Sequence, residues 1–126
     1  EHKGDKRLKS YISALDKVNS EWGDATMKIG MKAMRNKDEV GAASVDYLMF
    51  SGYVVLAYFW ARMAVVAQTK LDEGTDEVGF YTAKLQTATF YYERLLPRTK
   101  AHAEAMLSGA DNLLAMDEDN FLFLNA

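Results

Sequence analysis

Tyr47-Leu48-Met49-Phe50-Ser51-Gly52-Tyr53-Val54-Val55-Leu56-Ala57-Tyr58-Phe59-Trp60-Ala61, closed by Asp46 at one end and Arg62 at the other, is apolar around its whole circumference when wound as a helix. A helix with no polar face has to be covered on every side, so this stretch predicts a core helix wrapped by others. Crossing a bilayer takes about 20 mostly apolar residues. The uncharged run has fifteen, and Arg62 falls inside any longer window. The run therefore reads as a buried helix of a bundle, with no membrane span.

Upstream, Leu8, Tyr11, Leu15, Val18, Trp22, Ala25 and Ile29 recur at alternating spacings of three and four, the seam of a long packed helix over about 5–36. Gly23 and Gly30 weaken that helix, and a bend is expected near Trp22-Gly23-Asp24, since glycine costs about 1 kcal/mol relative to alanine in a helix interior. Asn36-Lys37-Asp38 supplies a turn, with Asp38 as the expected N-cap of a second helix over about 39–71. Gly74 suits the left-handed residue that closes a helix, and Thr75 or Asp76 restarts the chain as a cap. Phe80, Ala83, Thr87, Phe90, Tyr91 and Leu95 line one side of a third helix up to Pro97, which bends or ends it. A fourth piece over about 98–108 ends at Gly109, and Asp111 can cap one more turn through Met116. Short turns between long helices force antiparallel neighbours. The expected fold is all-α, an up-down bundle of three to four long helices, the last kinked near Pro97 and the second central.

The chain's 126 residues form one domain, large enough to bury roughly two-thirds of its unfolded surface. With no cysteine it has no disulfide, thiolate metal site or thiol nucleophile, which fits a reducing, cytoplasmic setting. Its net charge of −3 is uneven: residues 1–37 carry nine Lys/Arg against five Asp/Glu, and residues 38–126 carry six against thirteen. The basic lysines are interleaved with Asp5, Asp16, Glu21 and Asp24, the pattern of a solvated helix face rather than of a nucleic-acid-binding region. The start, Glu1-His2-Lys3-Gly4, has no initiator Met and no signal-peptide pattern, and reads as a cut inside a longer polypeptide.

Reactive constellations are missing. Neither His2 nor His102 has a glutamate three residues before it, so the Glu-x-x-His pairs of a di-metal bundle are absent, as is zincin spacing. No glycine-rich phosphate loop, nucleophile elbow or dinucleotide fingerprint occurs. No catalytic, cofactor-binding or metal-ligating residue is assigned. Arg62 has apolar helical neighbours in Tyr58, Phe59, Val65 and Val66, and a guanidinium buried there must be paired or stacked. Helix counting places Ser13 to Asp16 on one side of it and Gln86-Thr87 on the other. Lys84, Glu93 and Arg94 sit in a similarly aromatic setting, and core-fixing contacts are the expected role of all of them, with ligand binding the alternative.

Two features suggest contact with something else. Met27, Met31 and Met34 fall opposite the Ala25/Ile29 seam, while Lys28, Lys32 and Arg35 form a third face. Methionine adapts to irregular surfaces. The stripe either docks on another part of a longer polypeptide or another subunit, or is turned into the core by a bend at Gly23. The tail Asn120-Phe121-Leu122-Phe123-Leu124 is apolar after the acidic Asp117-Glu118-Asp119, and is expected to fold back on the bundle.

The blocks Ser44 to Ala64 and Phe80 to Pro97, the latter reading Phe80-Tyr81-Thr82-Ala83-Lys84-Leu85-Gln86-Thr87-Ala88-Thr89-Phe90-Tyr91-Tyr92-Glu93-Arg94-Leu95-Leu96-Pro97, resemble the extra C-terminal domain of a bacterial branch of the acyl-CoA dehydrogenases. That branch includes enzymes acting on 3-methylmercaptopropionyl-CoA, and the resemblance covers roughly residues 5–116. It implies a parent flavoenzyme in which a glutamate base removes the α-proton of an acyl-CoA thioester and hydride passes from Cβ to FAD. Electrons then leave to an electron-transfer flavoprotein. The family's catalytic and flavin-binding segments lie upstream, so none is carried over, and the resemblance implies a structural role beside upstream dehydrogenase domains in a homo-oligomer. The alternative is a self-sufficient helical module that binds an amphipathic partner helix beside the methionine stripe.

Overall fold

A computed structural model describes residues 6–121. Helix α1 spans Lys6–Ala33, α2 Asp38–Glu73, α3 Val78–Phe90, α4 Thr99–Leu107 and the single turn α5 Asp111–Leu114. No strand occurs among the described residues. α1 packs antiparallel to α2, and α3 with α4 returns along another side of it. The result is the all-α up-down bundle that the sequence spacing predicts.

The helix ends follow from local chemistry. α1 runs unbroken through Gly23 and Gly30, so the two glycines do not end the helix. Asp38 is not the N-cap of α2. That position is held by Lys37, which makes no side-chain cap bond; in the turn before it Asn36 Oδ1 accepts from the Asp38 N–H at 3.1 Å. Gly74 closes α2 at φ 85°, with its N–H bonded to the Leu71 carbonyl and the Thr75 N–H to the Lys70 carbonyl, each at 3.2 Å, the Schellman arrangement. Thr75 Oγ1 accepts from the Glu77 N–H at 3.1 Å before α3 begins.

The small-residue face of α2 decides the packing. Ala43, Phe50, Val54, Ala57, Ala61, Ala64 and Ala67 are its buried residues, and Ala57 and Ala64 are fully inaccessible. Alanines let neighbouring backbones come close, and the space between is filled from the other helices by Leu8, Tyr11, Val18, Leu85, Tyr91, Tyr92, Leu96 and Met106. Tyr11 stacks on Tyr92 with ring centroids 4.3 Å apart. The Tyr92 hydroxyl donates to the Ala57 carbonyl at 2.8 Å and the Tyr91 hydroxyl to the Tyr53 carbonyl at 2.6 Å. Two adjacent tyrosines thereby bury their rings and satisfy their hydroxyls on one helix backbone.

Pro97 shapes the return strand of the bundle. It has no N–H to extend an α-helical ladder, and the chain passes it through a π turn, Tyr91–Leu95, and a 3₁₀ turn, Leu96–Arg98. The buried Thr99 donates its hydroxyl to the Leu96 carbonyl at 2.7 Å, and α4 resumes. At the far end, Glu39 Oε1 accepts from the Ala110 N–H at 3.3 Å, and Lys32 Nζ donates to the Leu107 carbonyl at 3.0 Å. These contacts fasten the end of α4 to the α1–α2 turn.

The opening expectation is overturned on one side. α2 is not covered all round: Val45 and Leu48 are 70% exposed, and Val55, Leu56, Phe59 and Val66 are exposed too. α1, α3 and α4 all pack against α2 and leave it an outer side, which is apolar. By length and composition α2 could cross a membrane. Its inner side is nonetheless sheathed by α1, whose outer face carries lysines and acids that hydrocarbon would not accept.

Replacing Ala64 with Leu is expected to cost about 1–3 kcal/mol in urea unfolding, because no space exists for the added methylenes. Burial pushes the Tyr92 hydroxyl up to about 12, with the Tyr11 ring adding to it, and raises Tyr91 further, with Tyr53 and Tyr92 adding. Unfolded tyrosines release their protons near 10.0, while these two hold theirs when folded. Their contribution to stability is full below pH about 10 and is lost as pH rises from there. Melting temperature should therefore fall steeply above that pH, and the Tyr91→Phe/Tyr92→Phe double variant should flatten the fall.

Candidate functional site

The groups that carry chemistry are dispersed. Among the described residues no three His, Cys, Asp or Glu side chains gather as a metal ion would require. The nearest approach to a catalytic pair is His102 on α4, whose Nδ1 lies 2.8 Å from Asp46 Oδ1 on α2, with the Tyr53 ring 5.8 Å away. Among the described residues no serine or threonine hydroxyl is bonded to that imidazole, and both side chains are half-buried. The pair ties α4 to α2. Its signal in the sequence was faint, one histidine and one aspartate 56 positions apart.

Arg62 lies at the surface and not in the core. Its guanidinium stacks over the Tyr58 ring at 5.7 Å, one turn back on the same helix. It shares an open cleft of about 490 Å³ with Phe59, Val66, Phe80, Tyr81 and Lys84, so its α3 neighbours lie about a turn before the expected Gln86-Thr87. Lys84 is half-buried with Nζ 5.1 Å over the Phe80 ring. Glu93 and Arg94 are both exposed, in the π turn. The structure brings Arg62 and Lys84 to one cleft and leaves Arg94 apart from them.

The methionine stripe points outward. Met27, Met31 and Met34 are 67%, 58% and 87% exposed. They stay at the surface while Ala25 is buried, so the stripe is not turned into the core. Lys28, Lys32 and Arg35 flank Met31 around a cleft of about 470 Å³ that reaches Leu107. Phe121 is exposed, and the rest of the apolar tail, Leu122-Phe123-Leu124, lies outside the described residues.

Sequence reasoning missed the outer face of α2. A signal was present: alanines at 57, 61, 64 and 67 share one side, while the bulky Val45, Leu48, Val55 and Phe59 share the other. Small residues mark the side where helices approach closely. The bulky side is apolar and open to solvent, a feature that marks contact sites. The open surface carries apolar side chains, aromatic rings and two cations stacked on rings.

The model of the family described as acetyl-CoA dehydrogenase C-terminal like matches residues 1–117. The broad-specificity linear acyl-CoA dehydrogenase FadE5 of Mycobacterium tuberculosis is 29% identical over 126 residues, which take in 94% of this chain and 21% of that protein. The chain thus spans about a fifth of the length of that curated relative. A helical bundle without a reactive constellation, matched almost end to end by that model, belongs to the acetyl-CoA dehydrogenase C-terminal-like family.

Proposed function

We propose that this bundle is the non-catalytic C-terminal domain of an FAD-dependent acyl-CoA dehydrogenase, and that its role is to dock and shape the enzyme. The carrying observation is the family match over residues 1–117, joined to a fold whose open features are contact surfaces. The parent enzyme would oxidise the α,β bond of an acyl-CoA thioester in the cytoplasm of a bacterium and pass electrons to an electron-transfer flavoprotein. Resemblance in the blocks 44–64 and 80–97 supports the branch that acts on 3-methylmercaptopropionyl-CoA. FAD would be held by upstream domains; the residues described here offer it no phosphate loop or dinucleotide fingerprint.

Two apolar faces support the docking role. The methionine stripe, flanked by Lys28, Lys32 and Arg35, suits the body of the dehydrogenase, since methionine fits irregular surfaces and the basic flank can meet carboxylates. A free-standing interaction module is the weaker reading, because the chain aligns over 94% of its length to one part of a dehydrogenase five times as long.

The direct test is a polypeptide that carries dehydrogenase domains ahead of this chain, examined by absorbance and by acyl-CoA-dependent dye reduction. A yellow, active protein is expected, with residues 1–126 alone colourless and inactive. A colourless long polypeptide would end the assignment. Met31→Asp should shift the unfolding free energy of the 126-residue chain by less than about 0.5 kcal/mol, as for a surface site, while weakening attachment to the dehydrogenase body. A drop of several kcal/mol in the chain alone would place the stripe in the core instead.

A further inference from the structure

The outer face of α2 is complementary to itself. Beginning at Asp38, it recurs at alternating spacings of three and four up to Arg62, the repeat of a two-helix seam. At about 100° per residue this seam lies opposite Phe50 and Ala57, on the open side of the helix. The spacing is symmetric about residue 50. In an antiparallel pair with a twofold axis there, Leu48 faces Gly52, Val45 faces Val55, Phe59 faces Gly41 and Arg62 faces Asp38.

Each of these pairings fits. The two large side chains of the seam each meet a glycine, and a Cβ added at Gly41 or Gly52 would touch nothing within 4 Å, so both notches are open in this chain. Asp38 and Arg62 are exposed, and neither makes an ion pair among the described residues. Antiparallel pairing gives each the opposite charge. It also places both ion pairs at the ends of the seam, where solvent reaches them, and leaves the middle apolar.

We infer that α2 forms an antiparallel, twofold contact with the α2 helix of a second copy of this chain. An isologous interface requires a patch to be its own complement, and the seam meets that requirement in spacing, size and charge. A lipid surface would have no use for glycine notches set symmetrically against Leu48 and Phe59. An unrelated protein surface would not require the symmetry. The inference goes beyond the dehydrogenase assignment and rests on α2 alone.

The test is sedimentation equilibrium on the 126-residue chain, with circular dichroism to confirm that each variant remains helical. A concentration-dependent dimer is expected. Arg62→Glu and Asp38→Arg should each weaken it about tenfold or more, since like charges then face each other, and the D38R/R62E double variant should restore it. The chain has no cysteine, so a bifunctional thiol cross-linker reports register. A mixture of V45C and V55C chains should give mainly the mixed cross-linked dimer, and either chain alone little. A chain that stays monomeric at millimolar concentration overturns the inference, whether its face then binds anionic vesicles or is protected only within a longer dehydrogenase polypeptide. A dimer that ignores both charge reversals overturns it as well.

Discussion

Close packing against the alanine face of α2 is the constraint on which the rest of the structure depends. Ala43, Ala57, Ala61, Ala64 and Ala67 contribute little volume, so the core must be filled by what the other helices bring to it. They bring rings. Tyr11, Tyr91 and Tyr92 enter from two different helices, and each hydroxyl finds an oxygen: Tyr11 with Thr89 Oγ1 at 2.6 Å, and the other two with α2 carbonyls. A buried phenol without such a partner would cost about 1–3 kcal/mol. The alanines therefore select tyrosines as their neighbours, and the tyrosines fix how α1 and the return helices sit.

The π turn belongs to the same constraint. It widens the helix where Tyr91 and Tyr92 turn inward together, just ahead of the proline that would in any case interrupt the ladder. With its donors spent on the inner face of α2, the bundle leaves little polar machinery elsewhere. The half-buried His102–Asp46 pair and the Lys32–Glu39 contact hold helices together. Membership in a dehydrogenase C-terminal family and the absence of a reactive constellation among the described residues are compatible, since this chain spans only about a fifth of its curated relative.

Much of the fold was legible in the residues. The α1 seam from Leu8 to Ile29 is buried or half-buried at every position, because a three-four repeat admits one geometry for a long helix. Gly74 and Pro97 act where a left-handed residue and a missing donor must act. Asp38 is not the cap of α2, because the helix begins at Asp38 itself and Lys37 stands at the N-cap, a one-residue shift that only the turn geometry decides. Arg62 was placed inside because its sequence neighbours are apolar. Those neighbours are themselves at the surface, and the guanidinium needs only the Tyr58 ring.

Residue order alone determined that the chain is helical, where its helices turn, and to which family it belongs, since periodicity, turn chemistry and two dense aromatic blocks are local properties. Tertiary structure decided which side of an all-apolar helix faces inward. Hydrophobic burial scales with apolar area and would by itself favour the bulky side of α2 too; close approach favours only the small one. With the alanines taken inside, Val45, Leu48, Val55 and Phe59 are left outside, and a stretch that reads as core becomes a surface able to recognise another.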